Sequence, residues 1–338
     1  MRLLDTHSSA RPGAGSPAAL DVATLDAVAA AARDGLLGRP KRLPPWLLYD
    51  ERGSALFDEI TRLPEYYPTR TERAILAREA AAIVSAVGTP VEVVELGSGS
   101  AEKTQLLLAE LQARQRRVVY VPVDVSPTAL GAAAERLRRH PRLRVRPLVA
   151  RYPEELGLLG APDGARRLVL FLGSNIGNYD PAGARALLAG VGRSLRAGDA
   201  LLLGADLRKA RGLLLRAYDD ARGVTARFNL NLLVRLNREL GARFDVGRFR
   251  HVARWNARRS RMEMLLESAT RQRVVIDALG AVATFARGER IHTESSYKLT
   301  TAGVRALLAR AGFRLEARWH DPRRWFGVYL ARRLPAGR

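Results

Sequence analysis

Along the middle of the chain, short apolar runs alternate with segments whose apolar residues recur at helical spacing. Residues 91–96 (VEVVEL) form a strand, 97–99 a glycine turn and 102–114 a helix; residues 117–125 (RVVYVPVDV) form a second strand and 127–140 a second helix. Three more runs, 144–150 (RVRPLVA), 167–173 (RLVLFLG) and 200–206 (ALLLGAD), continue the series. Strand, helix, strand in this rhythm implies right-handed crossovers and a parallel, doubly wound sheet, so the fold class is α/β.

The rhythm begins late and is interrupted once. Residues 1–19 read as a disordered arm, and 20–37 as a helix that stops at Gly38 and Pro40. A short helix follows around 53–61, then a proline-bounded turn at 63–68, then a helix opened by Thr69 or Thr71, residues of a type that caps helix N-termini. Trp46, Tyr49, Phe57, Tyr66 and Tyr67 crowd into this stretch of an aromatic-poor chain, as a wall of a binding site as much as a packing cluster. After Asp206, residues 208–297 read as helices 212–220 and 228–240 and strands ending in RMEMLLES and RQRVVIDAL, an inserted α+β lobe. The sheet pattern then resumes with an amphipathic helix, TTAGVRALLARAGF, and two strands, RLEARWHD and WFGVYLARR, joined by a short turn.

Composition narrows the classes. The apolar runs fall far short of the roughly 20 residues that a membrane span requires, and the first residues, MRLLDTHSSARPGAGSP, carry no apolar signal core, so a cytoplasmic protein without a membrane partner is expected. The absence of cysteine excludes disulfides, thiolate catalysis and cysteine-ligated zinc, and His7, His140, His251, His292 and His320 lack metal-ligand spacing, so no metal is expected. The formal charge of +22 would ordinarily suggest a polyanionic partner. Here the only lysines are Lys41, Lys103, Lys209 and Lys298, and the arginines are scattered through an Ala-, Gly- and Leu-rich chain, as in a genome-wide compositional bias. The densest basic stretch, residues 136–146 (RLRRHPRLRVR), reads as a solvated surface, and no nucleic-acid partner is expected.

Two loops carry the candidate chemistry. In VELGSGSAEKT (94–104) a strand runs into Gly97-Ser98-Gly99, where backbone N–H groups can approach a ligand closely. A dinucleotide fingerprint would place a third glycine at position 102, which is Glu102, so pyrophosphate binding is disfavoured. The same geometry suits the methionine portion of S-adenosylmethionine, and Asp124 stands where a carboxylate can accept both ribose hydroxyls. The second loop, FLGSNIGNYDP (171–181), lies at the carboxyl end of a strand, the ligand edge of doubly wound sheets, and offers amide and backbone groups. The plainer reading makes it a connection in which Asn178 caps the next helix. With its closing antiparallel hairpin the chain resembles class I S-adenosylmethionine methyltransferases, Rossmann-like with a mostly parallel seven-stranded sheet.

Five strings make the resemblance specific. LPPWLLYDERGSALFDEITRLPEYYPTRTE, VELGSGSAEKT, FLGSNIGN, RAYDDARGVTARFN and HTESSYK are similar, in order, to the signatures of the histidine-specific Nα-methyltransferases, which trimethylate L-histidine on the way to ergothioneine. The resemblance runs from about residue 35 to the C-terminus. It implies S-adenosyl-L-methionine as cofactor and L-histidine as substrate, a substrate-binding lobe of residues 20–70 and 208–297, and a methyltransferase domain of 71–207 and 298–338; independently, no obvious apolar surface helix is seen, so a monomer is expected. Carried over by motif, Gly97 and Lys103 meet the methionyl end of the cofactor, Asp124 its ribose and Gly173 its neighbourhood. Asn178 and Tyr218 hold the substrate carboxylate, and Tyr66 with Tyr49 orients the α-amine. Glu294 and Ser296 read the imidazole, and Met264 and Phe57 shape the pocket. The chain departs from the pattern at Arg151-Tyr152, where the family places an acid before an aromatic: arginine cannot accept from the adenine amino group, which leaves Tyr152 and the backbone, or an acceptor in another register. Asn175 likewise replaces a small hydroxyl residue. Three alternatives stay open on the residues alone: a methyltransferase of another small amine, an RNA-binding methyltransferase, and an interaction module that kept the fold without the chemistry.

Overall fold

Three helices precede the sheet: α1 (Val22–Leu37), α2 (Glu51–Thr61) and α3 (Tyr67–Val87). The computed structural model describes residues 22–335 other than Ser100, Val125, Ser126, Pro141, Arg151, Tyr152, Ala161, Asp163 and Gly164, so the expected arm and the Arg151-Tyr152 call lie outside the described residues. Helix α3 starts at Tyr67 and not at Thr69 or Thr71, because Pro68 sits in the first turn, where its missing N–H costs no hydrogen bond. Thr71 Oγ1 donates back to the Tyr67 carbonyl at 2.8 Å and caps nothing.

The sheet is then assembled through β1 (Val91–Leu96), α4 (Gln105–Arg114), β2 (Val118–Asp124), α5 (Pro127–Leu137), β3 (Leu143–Val145), β4 (Leu148–Val149), β5 (Arg166–Phe171), α6 (Pro181–Arg193) and β6 (Ala200–Asp206). Strands β1 and β6 are buried at every position, as continuous apolar runs covered on both faces must be. The run expected as one strand over 144–150 is broken in two. Val118–Tyr120 pair with β3 and Val123–Asp124 with β4, and the gap faces Pro122 on one side and Pro147 on the other, neither of which has an N–H to donate.

Next come α7 (Arg211–Tyr218), α8 (Val224–Leu240), β7 (Phe249–Asn256), β8 (Arg261–Ser268), β9 (Gln272–Ile276), β10 (Ala281–Phe285) and β11 (Arg290–Tyr297). The two strands foreseen here do not pair with each other: β8 lies between β11 and β7, and β9 forms a hairpin with β10. The chain closes with α9 (Thr301–Arg310), β12 (Phe313–His320) and β13 (Phe326–Arg333). Strand β13 inserts antiparallel between β12 and β6, giving the order β12-β13-β6-β5-β1-β2-β3, with β4 also on β2. Two hydrophobic cores line the faces of this sheet, and a third joins residues of α1 and α2 to α7, α8 and the smaller sheets. Among the described residues no helix is long and apolar enough to cross a membrane.

Asp50 ties α2 into that third core. Its Oδ1 accepts from Gly53 N and from Asn231 Nδ2 on α8, both at 2.7 Å, and Arg238 pairs with Oδ2 at 2.7 Å. Asp50→Ala removes a helix cap and leaves the buried Asn231 amide without its partner, so a loss of about 2 kcal/mol is expected from denaturant unfolding; a loss under about 0.5 kcal/mol would show that the cap carries nothing.

Candidate active site

The carboxyl ends of β1, β2, β5 and β6 open onto one edge of the sheet. After β1 the chain turns through Gly97 and Gly99, with φ of 64° and 50°, in the left-handed region where glycine is favoured. Gly97 N–H donates to Val123 O at 2.8 Å, and Gly99 N–H points at Asp124 Oδ2 across 3.4 Å, so the loop is folded against the end of β2. Two observations fit a polar ligand here. Among the described residues the buried Ser98 hydroxyl has no hydrogen-bond partner, and a Cβ added at Gly99 would meet none of them within 4 Å. Beneath the loop, burial pushes the Glu95 carboxyl up to about 7, while Thr104 Oγ1 donates to it at 2.7 Å and Tyr120 OH at 2.5 Å.

Glu72, on α3, organises the neighbouring loop. Its carboxylate is fully buried, accepts from Gly173 N–H at 2.8 and 3.0 Å, and pairs with Lys103. The space for it exists because position 204 on β6 is glycine: a Cβ there would lie 2.1 Å from Glu72 Oε1. Glu72 sits within the LPEYYPTRTE string, yet nothing local to that string marks its side chain as turning inward to Lys103 and Gly173.

On the facing side, aromatic rings form a curved wall. Tyr49 follows the single-turn helix Pro45–Leu48, Phe57 lies on α2, Tyr66 immediately precedes α3 and Tyr218 ends α7. Their centroids run Tyr49–Phe57 5.5 Å, Phe57–Tyr66 6.2 Å and Tyr66–Tyr218 6.3 Å, all edge to face, so Phe57 separates the two tyrosines expected at the amine. Burial raises the phenols of Tyr66 and Tyr218 well above their ordinary range, so at neutral pH both keep a proton to donate.

Glu294 and Ser296 lie on β11, where a bulge between His292 and Glu294 makes Thr293 the extra residue. Thr293 Oγ1 lies 2.6 Å from Asn229 Oδ1 on α8 and 3.0 Å from Met264 O, which pins the bulge and sets Glu294 opposite Met264. Beyond the bulge, His292 bonds Ser295 at 2.9 Å while Ser296 bonds Tyr218. Glu294 is buried and its carboxylate accepts no hydrogen bond among the described residues, whereas the buried Glu72, Glu92, Glu95, Asp199, Asp206, Asp220, Glu263, Glu267 and Asp321 all have donors. Burial pushes it up to about 7, against the attraction of Lys298.

A charge cluster that the sequence reading missed joins the two sides. Lys298 Nζ is 2.8 Å from Asp206 Oδ2 and donates to Tyr218 OH at 2.7 Å and Ser296 Oγ at 2.8 Å. Tyr67 OH donates to Asp206 at 2.8 Å, and Lys209 pairs with the same carboxylate. Burial opposes the charge on Asp206, but Lys298 and Lys209 together hold its carboxyl below the usual range; burial lowers Lys209 to about 8 despite Asp206. One signal was available: in a chain that takes nearly all its positive charge from arginine, two of the four lysines stand in this cluster and a third, Lys103, pairs with Glu72. Asn178 ends the short helix Asn175–Asn178. It caps nothing, since Asp180 accepts from Gly183 N–H at the start of α6. This helix packs against β11 so closely that a Cβ on Gly177 would lie 2.9 Å from Tyr297 O. Of the expected residues, Tyr152 lies outside the described residues.

The sheet order with its antiparallel closing strands, the glycine turn and the acid at the end of β2 define a class I S-adenosylmethionine-dependent methyltransferase. Within that class, the family model for the histidine-specific, S-adenosylmethionine-dependent methyltransferases matches residues 28–333, and the chain belongs to this family. It is 46% identical to the histidine N-alpha-methyltransferase of Mycolicibacterium smegmatis over 88% of this chain and 92% of that one. It is also 46% identical to the protein of the same name from Mycobacterium tuberculosis, over the same shares. A 4-dimethylallyltryptophan N-methyltransferase of Epichloe festucae var. lolii is 27% identical over 85% of this chain and 90% of its own.

The state of Glu294 has a stability signature. Because the folded protein holds this proton up to about pH 7, against about 4.5 when unfolded, the folded state binds more protons in between, and stability falls as pH rises through that window. The full penalty, about 3 kcal/mol, is present above pH 7. Glu294→Gln should therefore be more stable than the native protein at pH 8 and lose that advantage by about pH 4.5; equal melting temperatures at both pH values would contradict it.

Proposed function

We propose that the enzyme transfers three methyl groups from S-adenosylmethionine to the α-amine of L-histidine, producing hercynine for ergothioneine biosynthesis. The observation that carries this reading is Glu294, a buried carboxylate that accepts no hydrogen bond from the described residues and lies two positions from the Ser296 hydroxyl. An acceptor beside a donor is what an imidazole ring requires once it leaves water, since each of its nitrogens must then be satisfied. The substrate named for the two relatives at 46% identity supports it.

In this reading residues 71–207 and 298–338 hold the cofactor, and 20–70 with 208–297 close over the amino acid. Gly97, Ser98 and Lys103 receive the methionyl end, Asp124 the ribose hydroxyls, and Gly173 lies alongside, with Tyr152 left for the adenine. When bound, the cofactor would supply an electrophilic sulfonium methyl, which an aligned amine lone pair would attack in line as the S–CH3 bond breaks and S-adenosylhomocysteine leaves. The protein's own task is alignment, and proximity of this kind is worth on the order of 7–11 kcal/mol of barrier. Asn178 donates to the substrate carboxylate, and Tyr218 keeps its proton on Ser296 and holds that hydroxyl in place. Tyr66, with Tyr49, orients the nitrogen, and Phe57 and Met264 hold the ring in place. The nitrogen must shed a proton before each new transfer, and that proton leaves to water.

Incubation with S-adenosylmethionine and each of the twenty amino acids, followed by mass spectrometry, should yield a product only with histidine, heavier by three methyl groups. A different preferred amino acid would refute the assignment. Glu294→Ala should raise the KM for histidine at least tenfold and change the Kd for S-adenosylmethionine less than threefold, as measured by steady-state kinetics and calorimetry; an equal loss of both would contradict a ring-reading role.

A further inference from the structure

The ammonium of Lys298 has three N–H donors, and the structure gives each an acceptor: Asp206 Oδ2 at 2.8 Å, Tyr218 OH at 2.7 Å and Ser296 Oγ at 2.8 Å. Each hydroxyl oxygen thus has a lone pair occupied by the ammonium, and its own proton must point elsewhere. Tyr218 directs its proton at Ser296, 2.8 Å away. That fills the second lone pair of Ser296, whose proton has no acceptor among the described residues. While Tyr218 keeps its proton on Ser296 and Lys298 donates from behind, both lone pairs of that oxygen are filled, and only the Ser296 proton is left for the pocket. An arginine could not take this place, because three donors diverging from one point are needed, not a planar fork.

We infer that Lys298 is a positioning residue that fixes Ser296 as a hydrogen-bond donor and so restricts the pocket to the neutral form of the imidazole ring, an inference that rests on the histidine reading above. A neutral ring offers one N–H and one nitrogen lone pair; Glu294 accepts the first and Ser296 donates to the second. An imidazolium offers two N–H groups and no lone pair. One of them would meet the Ser296 proton, and the cation would lie one hydroxyl away from Lys298. The other titratable groups facing this end are Tyr66 ahead of α3, Tyr218 from α7, and Asp206 with Lys209 and Tyr67 behind Lys298. Tyr66, Tyr218 and Tyr67 remain protonated at neutral pH and Asp206 remains charged; burial holds His251 of β7, which bonds the Tyr218 carbonyl, and His292 of β11 below the usual imidazole range, and Glu294 and Lys209 titrate nearer neutrality, all of them acting on both substrates alike.

The test compares L-histidine with 1,2,4-triazol-3-ylalanine, which has the same amine and carboxylate but a ring that stays neutral in mild acid. KM for both is measured with saturating S-adenosylmethionine at pH 8 and pH 5.5. Effects of the amine and of Glu294 are common to both substrates and cancel in the ratio. With an imidazole pKa of about 6.5, the neutral ring becomes about tenfold scarcer at pH 5.5, so the histidine-to-triazolylalanine KM ratio should rise about tenfold in the native enzyme. In Lys298→Met, where Ser296 regains a lone pair, the rise should shrink below about threefold. Ser296→Ala removes the donor but keeps the Lys298–Asp206 pair, and it should flatten the ratio likewise, which decides the matter if Lys298→Met does not fold. A flat ratio in the native enzyme, or a full rise in both variants, overturns the inference while leaving histidine methylation intact. No methylation of histidine at pH 8 would overturn the histidine reading together with this one.

Discussion

The burial of Asp206 is the constraint on which the site depends. A carboxylate almost without solvent contact at the end of a central strand would cost several kcal/mol if left alone, and the chain answers from three directions. Lys298 arrives from the end of β11, Tyr67 from the start of α3, and Lys209 from the turn just beyond β6. The Asp206 N–H is held as well, by Ser174 Oγ at 2.9 Å, and Ser174 takes a left-handed φ of 59° in that position. A buried ion pair of this kind adds little net stability compared with apolar residues of the same size. What it does add is geometry, because no one element can shift without leaving a charge unpaired.

Helix α3 extends that geometry to the second half of the site. Tyr67 holds Asp206 while Glu72, five residues further along the same helix, holds Lys103 and Gly173. One rigid element therefore registers the glycine-loop side against the aromatic side. Methyl transfer between two small molecules depends on their relative placement more than on any proton-transferring group, and a helix anchored at both sites is a direct way to supply it. The string LPEYYPTRTE packs these anchors together: Arg70 also binds the carbonyls of Leu63, Pro64 and Tyr66, which fixes the turn carrying Tyr66.

Periodicity made the parallel sheet legible, since β1 and β6 coincide with the expected runs and the closing hairpin was readable from two strands and a short turn. What escaped was nonlocal. Proline opposite proline splits β3 from β4, a relation that exists only once the strands are paired. Strand β11 carries a motif but does not read as a strand, because Glu294, Ser295 and Ser296 are polar in succession and break the apolar alternation that marks a half-buried strand. The chemistry divided in the same way. Asp124 and the glycine turn have a local signature, whereas Asp206, Lys298 and Glu72 acquire meaning from partners 31 to 139 positions distant.

The contrast between Asp206 and Glu294 explains why one is structural and the other is open to a ligand. Both are buried acids near Lys298, yet Asp206 is held below its usual range by two ammonium groups, and Glu294 is pushed up to about 7 with no donor of its own. Folding satisfies the first and leaves the second deficient by a hydrogen bond. A ligand N–H that reaches Glu294 stabilises its charged form and recovers free energy that folding alone does not. On the proposed histidine reading, a molecule that brings a donor to Glu294 and an acceptor to Ser296 together satisfies both. An indole brings an N–H but no second ring nitrogen, so it would leave the Ser296 proton unsatisfied. That difference separates a histidine from a tryptophan derivative by hydrogen-bond count as well as by size.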